Sequence, residues 1–389
     1  MSEVAPRTNI TGSMRSLGAL LLIAGIGLGV VSMGAPDSGM LRAYLYGYSF
    51  FLTLTLGFQG LVLLHHCTRL KWSRPVLRLW EAATSPMIYG LLIVGLVPVF
   101  MNLPVVYEWA QADYVAKDAI LQHKQRFLNP NMFVLCTFVY LALLGVVSNA
   151  LAAWQRKEDG DGSLVWESKR ANVASPMILV FVLGNTFLYT ILLMSLDPHW
   201  FSTIYPAWLT VGGALGALGL TAMLVGTQSK KEPFIGHINE KFCYDLGTLS
   251  LAFTLLWTYF TFSQFLIIWS GNLPEFNVWF INRSVMPFGI LSGVLIFGQF
   301  LLPFLLFLHP PTRRNPSLLA FLGGWVFTIR LVDLFYIVVP SLHLEYIPYL
   351  PAFAGLGIVG GLWFLIMSFH YASRPHLVSG IHQEALHHA

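Results

Sequence analysis

Ten stretches of this chain are long and apolar enough to cross a bilayer, and nothing else in the sequence constrains its fold as strongly. In hydrocarbon every backbone N–H and C=O must find its partner within the protein, so such a stretch folds as a helix. About 20 apolar residues cover a ~30 Å core. The stretches are 16–34, 44–66, 83–102, 132–154, 174–195, 205–227, 247–270, 285–308, 317–339 and 351–371. The chain is 56% hydrophobic and 10% charged, whereas soluble domains carry about 25% charge. The expected fold is therefore all-α and polytopic, a single integral membrane domain over 1–389. No connection is long enough for a soluble catalytic domain. The polar residues Ala5–Arg15 ahead of the first apolar run, with no small-residue cleavage site after it, predict no cleavable signal peptide.

Ten spans put both termini on one side. Of the 22 Lys and Arg, Arg42, Lys117, Lys124, Arg126 and Arg283 fall on the other side, Arg330 lies inside a span, and all the rest lie with the termini. Positive residues are retained in the cytoplasm, so both termini are expected there. The net charge of +4 is scattered over short loops and excludes a nucleic-acid surface. Cys67, Cys136 and Cys243 have neither metal-binding nor redox spacing. Residues 103–131 are long enough for a surface helix. Residues 155–173, with Glu158-Asp159-Gly160-Asp161-Gly162, read as a flexible loop. The histidines of the tail, His382, His387 and His388, are too irregular for a metal site.

A transmembrane haem needs axial histidines on facing helices, and no histidine here lies mid-span. No redox cofactor is expected on this chain. What the spans do contain is charge. Arg330 and Asp333 sit in the ninth span, three residues apart and on one helix face. Arg330 is about 20 Å along the axis from the start of that span. Each ion near a bilayer centre costs roughly 2.5–3.5 kcal/mol, so the pair is either a proton or anion relay or a neutralised brace between helices.

Three further groups could move protons. Asp197 and His199 crowd the turn between the fifth and sixth spans, where Pro198 and Asp197 would equally serve a tight, capped turn. Ser250, Thr254, Thr258 and Thr261 recur on one face of the seventh span. Tyr259 and Gln264 add polar atoms at its outer end and Asp245 stands at its entrance. Such hydroxyls either carry a file of water or bond the carbonyl one turn back. His65 and His66 end the second span, where histidine titrates readily or simply marks the interface. Gln59, Asn149, Asn185 and Gln299 read as interhelical hydrogen-bonding amides.

Two stretches resemble a known family. Ser195-Leu196-Asp197-Pro198-His199-Trp200-Phe201-Ser202-Thr203-Ile204-Tyr205 is similar to the inter-span signature of the F subunits of bacterial alternative complex III. So is the run Asp245–Glu275, above all Phe262-Ser263-Gln264-Phe265 and Trp269-Ser270-Gly271-Asn272-Leu273-Pro274-Glu275. Length and span count agree across the whole chain. The resemblance implies a polysulfide-reductase-like (NrfD-type) subunit built as two four-helix bundles with flanking helices, in a bacterial cytoplasmic membrane. Its complex oxidises quinol and passes electrons to a cytochrome c or a terminal oxidase. The implied partners are a related larger C-type membrane subunit, an iron–sulfur protein and a multihaem cytochrome c, which hold the iron–sulfur clusters and haem c. Quinol is the one ligand the resemblance leaves open for this chain. Its clearest implied role is a proton path, with Asp197, His199, Asp245, Ser263, Gln264 and Glu275 in the matching stretches. The resemblance assigns nothing to Arg330 and Asp333.

The mechanism expected is a pair of half-channels. One would run from the cytoplasm by His65, His66 and Asp245 along the hydroxyls of the seventh span. The other would run outward by Arg330, Asp333, Asp197 and His199. The alternatives are a quinone site in the same complex, which needs an apolar cleft beside a titratable group, a secondary transporter, and a structural anchor.

Overall fold

The computed structural model describes residues 9–33, 39–344, 346–374 and 377–378, so the tail histidines His382, His387 and His388 lie outside the described residues. Ten helices are long and apolar enough to cross a membrane. They are span 1 (Ile10–Met33), span 2 (Met40–Thr68), span 3 (Arg74–Met101), span 4 (Pro130–Asp161) and span 5 (Leu164–Leu196). Then follow span 6 (Tyr205–Gly226), span 7 (Glu240–Gly271), span 8 (Phe288–Leu308), span 9 (Pro316–Leu342) and span 10 (Tyr349–Ala372). No strand occurs among the described residues. The chain is an all-α, multi-pass membrane protein.

The spans close into two rings of four. Span 2 packs on 3, 3 on 4, 4 on 5 and 5 on 2, while span 6 packs on 7, 7 on 8, 8 on 9 and 9 on 6. The bundles meet where span 6 lies against spans 2 and 5. Span 10 flanks spans 2 and 3, and span 1 lies on span 10. Glycine permits the closest approaches, as is usual where no hydrophobic force drives helices together in lipid. A Cβ on Gly57 would stand 2.1 Å from the Gly213 carbonyl oxygen, and one on Gly25 would stand 2.5 Å from the Ile358 nitrogen. Spans 2 and 6 are therefore almost wholly buried, whereas most of span 1 faces outward.

The bundles repeat one another in detail. The third helix of each contains a wide π turn, at Leu135–Val139 and Ile296–Leu301. The fourth of each ends in a 3-10 turn, at Met194–Leu196 and Val339–Leu342. Counted back from those turns, Asn185 in the first bundle and Arg330 in the second occupy the same place. No repeat is evident in the sequence itself, because the matching positions carry different side chains, as Asn185 and Arg330 do.

Two connections differ from the sequence reading. The 155–173 segment is not a loop: span 4 stays helical to Asp161, and span 5 begins at Leu164. Gly162, at φ 67°, ends span 4 in the left-handed conformation, as a helix C-terminus favours. The acidic run remains helical because Glu158 pairs with Arg170 and Asp159 with Arg78. Span 3 begins at Arg74, bends at Thr84 and Ser85, and restarts with Pro86 in its first turn, where the missing N–H has no helical partner to lose. The 103–131 segment holds short helices at Leu103–Val106, Ala112–Val115 and Ala119–Lys124. An additional helix, Pro274–Ser284, follows span 7.

Candidate functional site

The charged pair lies at the heart of the second bundle. Arg330 and Asp333 are both buried and joined as an ion pair across one turn of span 9. Trp257 of span 7 donates its indole N–H to Asp333 Oδ2 at 3.2 Å. The other carboxylate oxygen, Oδ1, has no hydrogen-bond partner. The guanidinium lies flat against Gly212 of span 6, where an added Cβ would be 2.3 Å from Nη2. Gly212 thus makes the space that lets an arginine sit between spans 6 and 9. Nearby in the same bundle, Gln299 of span 8 is fully buried with neither amide atom bonded.

Two turns further along span 9, a second network faces the side opposite the termini. Arg283, buried at the end of the Pro274–Ser284 helix, donates to the carbonyls of Tyr336 (3.0 Å), Ile337 (2.6 Å) and Trp279 (2.9 Å). It also donates to the Ser341 hydroxyl at 2.7 Å. Ser341 in turn donates to Asp197 Oδ2, and His343 Nε2 meets Asp197 Oδ1 at 2.8 Å. The guanidinium stacks 3.5 Å from the Trp279 ring, which itself stacks on Trp200. The bonds to Tyr336 and Ile337 satisfy free carbonyls at the C-terminal end of span 9, which would otherwise be orphaned.

Asp197 is therefore tied to the end of span 9. Its carboxylate caps no following helix, and its partner is His343. His199, two residues on, instead pairs with Asp118 of the 103–131 segment at 2.8 Å and is half exposed. The two residues taken together from the sequence belong to separate clasps on one face. Arg283, Ser341 and His343 were missed because Arg283 reads as one loop cation among several, and its carbonyl and hydroxyl partners are remote in sequence.

Burial pushes the Asp197 carboxyl up, but the His343 hydrogen bond, the Arg283 charge and the Ser341 hydroxyl outweigh it and hold the group below its ordinary value. The bond to Asp197 holds His343 above its ordinary value. Each shift favours the folded state in its own range. The His343 contribution is complete below 6.5, the unshifted value, and is lost as pH rises through the raised one. The Asp197 contribution is complete above 3.8, its unshifted value, and is lost as pH falls through the lowered one. His343→Gln is thus expected to destabilise most between about pH 4 and 6.5, by no more than about 1 kcal/mol because His343 is half exposed. Denaturant titrations of both forms across pH would show a gap that closes at each end; a pH-independent gap contradicts the clasp.

The hydroxyls of span 7 bond their own backbone. Ser250, Thr254, Thr258 and Thr261 donate to the carbonyls of Leu246, Ser250, Thr254 and Trp257 at 2.8–2.9 Å. Gln264 is buried and accepts from Ser202, whereas Tyr259 is exposed on the outer surface of the bundle. Thr258, Tyr259 and Thr261 line a cleft of about 920 Å³ between spans 7 and 8 and the Pro274–Ser284 helix. Its wall is aromatic, with Phe262, Phe265 and Trp269 among the lining residues, and it reaches inward to Trp257 and Arg283.

His65 and His66 are buried at the end of span 2, in the first bundle. His65 Nδ1 meets Ser73 Oγ at 2.7 Å, and both histidines line a small pocket with Gln155, Glu158 and Arg170. Asp245 stands on span 7 of the second bundle, and no hydrogen bond or ion pair joins it to either histidine. The structure does not bring these three together as one entrance. Of the four amides, Gln59 accepts from Tyr89 at 2.8 Å and from Ser148. Asn185 accepts from Tyr140 at 2.9 Å and donates to Thr210 at 3.3 Å. Asn149 is exposed and Gln299 unbonded. Among the described residues no group of three or more His, Cys, Asp or Glu is placed to hold a metal ion. Neither the protein-family models nor the curated proteins compared with this chain match it.

Proposed function

We propose that this chain is the membrane subunit of a quinol-oxidising respiratory complex of the alternative complex III type, and that it provides a proton path coupled to quinol oxidation. The observation that carries the proposal is the buried Arg330–Asp333 pair, with one carboxylate oxygen unbonded. Ions so placed are costly and mark relays. The resemblance of Ser195–Tyr205 and Asp245–Glu275 to F subunits supplies the complex. In this reading Asp333 takes and gives the proton, and Arg330 keeps the charge of the site balanced while it does so. The outward leg passes Arg283 and Ser341 to Asp197 and His343. The inward leg follows Asp245, Ser250 and Thr254. His65 and His66 stand apart from it, in the other bundle. The termini are cytoplasmic, the membrane is the bacterial inner one, and haem c and iron–sulfur clusters belong to partner subunits. Coupling to them is conformational.

Asp333→Asn and Asp197→Asn in the purified complex, reconstituted in liposomes, test this. Proton release per quinol oxidised is expected to fall several-fold for Asp333→Asn while quinol-dependent haem reduction persists. Unchanged release in both variants would sink the proton role. One observation favours a second reading, a quinone site: the apolar cleft reaches Trp257, whose indole bonds Asp333. Photolabelling of the complex by a quinone analogue that spares this subunit would rule against it.

A further inference from the structure

The mouth of the first bundle, on the side of the termini, encloses a small basic pocket. Its lining comes from the ends of spans 2, 3, 4 and 5 and includes His66, Arg69, Arg74, Glu158, Glu167 and Arg170. Val378 also lines it, from beyond span 10. Three guanidinium groups thus face two carboxylates, and one carboxylate, Glu158, already pairs with Arg170 Nη2. The other two nitrogens of Arg170, Nε and Nη1, are buried without a partner, and so is His66 Nε2. Both residues are 3% exposed. Leaving buried polar groups unpaired costs about 1–3 kcal/mol each, so the two Arg170 nitrogens call for an acceptor in the pocket that Arg170 lines, and His66 Nε2 joins them as a donor in the tautomer that carries its proton there.

The interior has room, about 20 Å³, for one oxygen-sized group, since a single water takes roughly 10–15 Å³ on such a measure. Arg69 stands exposed at the rim, where span 2 ends and the chain turns in the left-handed conformation at φ 52°. The arrangement suits a group that sends one anionic oxygen inward and keeps the others at the rim. A carboxylate presents two oxygens in one plane, but a phosphate presents its oxygens in a tetrahedron, one inward and the rest outward. Basic pockets between transmembrane helices bind the headgroups of anionic phospholipids.

We propose that this pocket binds the phosphate group of an anionic lipid. One phosphate oxygen accepts from Arg170 and from His66, and the outer oxygens meet Arg69. The bound headgroup ties the ends of spans 2 and 5 together at the membrane surface. The proposal is independent of the proposed proton path, which uses none of these residues.

The test is the thermal unfolding of the full-length protein in dodecyl maltoside micelles, which carry no phosphate, with and without added phosphatidylglycerol, and separately with inorganic phosphate. Phosphatidylglycerol is expected to raise the melting temperature by about 2 °C or more. Arg170→Gln is expected to abolish the rise. Should that variant fail to fold, Arg69→Asn keeps the fold, because asparagine tolerates the left-handed conformation, and is expected to halve the rise. Stabilisation by phosphatidylglycerol alone assigns the site to a lipid headgroup, and an equal effect of inorganic phosphate assigns it to the phosphate group whatever its source. No rise with either, or a rise undiminished in both variants, overturns the proposal.

Discussion

Replacing Arg330 with methionine is expected to cost about 3–5 kcal/mol of stability, while the double replacement Arg330→Met with Asp333→Leu is expected to recover most of it. The single change leaves the Asp333 carboxylate fully buried, with only the Trp257 indole to compensate it. A buried carboxylate stripped of its counter-ion must stay charged at great cost or take up a proton. The double change removes both ions and fills much of their volume with hydrocarbon, and such replacements are often neutral or stabilising. Denaturant titration of wild type, both single variants and the double variant closes the thermodynamic cycle. The expected coupling between the sites is large, since the groups touch. If the double variant is no better than Arg330→Met, the pair is more than a neutralised charge, and the surrounding packing depends on the ions themselves. The proton assay on Asp333→Asn separates the two roles of the pair, because asparagine retains the shape and loses the titration.

The second large effect is expected at the contact between bundles. A Cβ at Gly57 would lie 2.1 Å from a backbone oxygen of span 6, and one at Gly213 would lie 2.2 Å from the Thr53 carbonyl oxygen. No rotamer change relieves either clash, because the obstacle is main chain on both sides. Gly57→Val is therefore expected to push spans 2 and 6 apart and to cost more than the 1–3 kcal/mol usual for core overpacking. The variant should be recovered in low yield with a melting temperature well below wild type. Gly90→Val serves as the control, since an added Cβ there meets nothing within 4 Å. Equal stability of the two variants would contradict the helix contact described.

The two expectations draw on information of different reach. The Arg330–Asp333 pair was legible in the sequence because its members are three residues apart, and a helix brings such residues onto one face wherever it lies. The hydroxyls of span 7 were legible as a face for the same reason, though not whether they carry water or bond the backbone. The Asp197 clasp was not legible. Its partners Ser341 and His343 come from the 3-10 turn that ends span 9 and the residue just after it, and nothing local announces that the two turns meet. Arg283 looked like an ordinary loop cation, because a helix as short as Pro274–Ser284 carries a far weaker hydropathy signal than a spanning one. The acidic run 158–162 looked like a loop on composition, and it is helical because the arginines of two other spans neutralise it.

The sequence by itself determined the ten helices, their common class and the buried charge, since backbone hydrogen bonding and the cost of ions in hydrocarbon act on each segment alone. It also suggested, by resemblance, two bundles with flanking helices. Only the tertiary structure decided which helix faces which, and with it the separation of His65 and His66 from Asp245 and the joining of Asp197 to His343. In a bilayer every outward face is equally apolar, so hydrophobicity does not say which side of a helix turns inward. That choice is made by glycines that let backbones touch and by polar groups that find partners far along the chain.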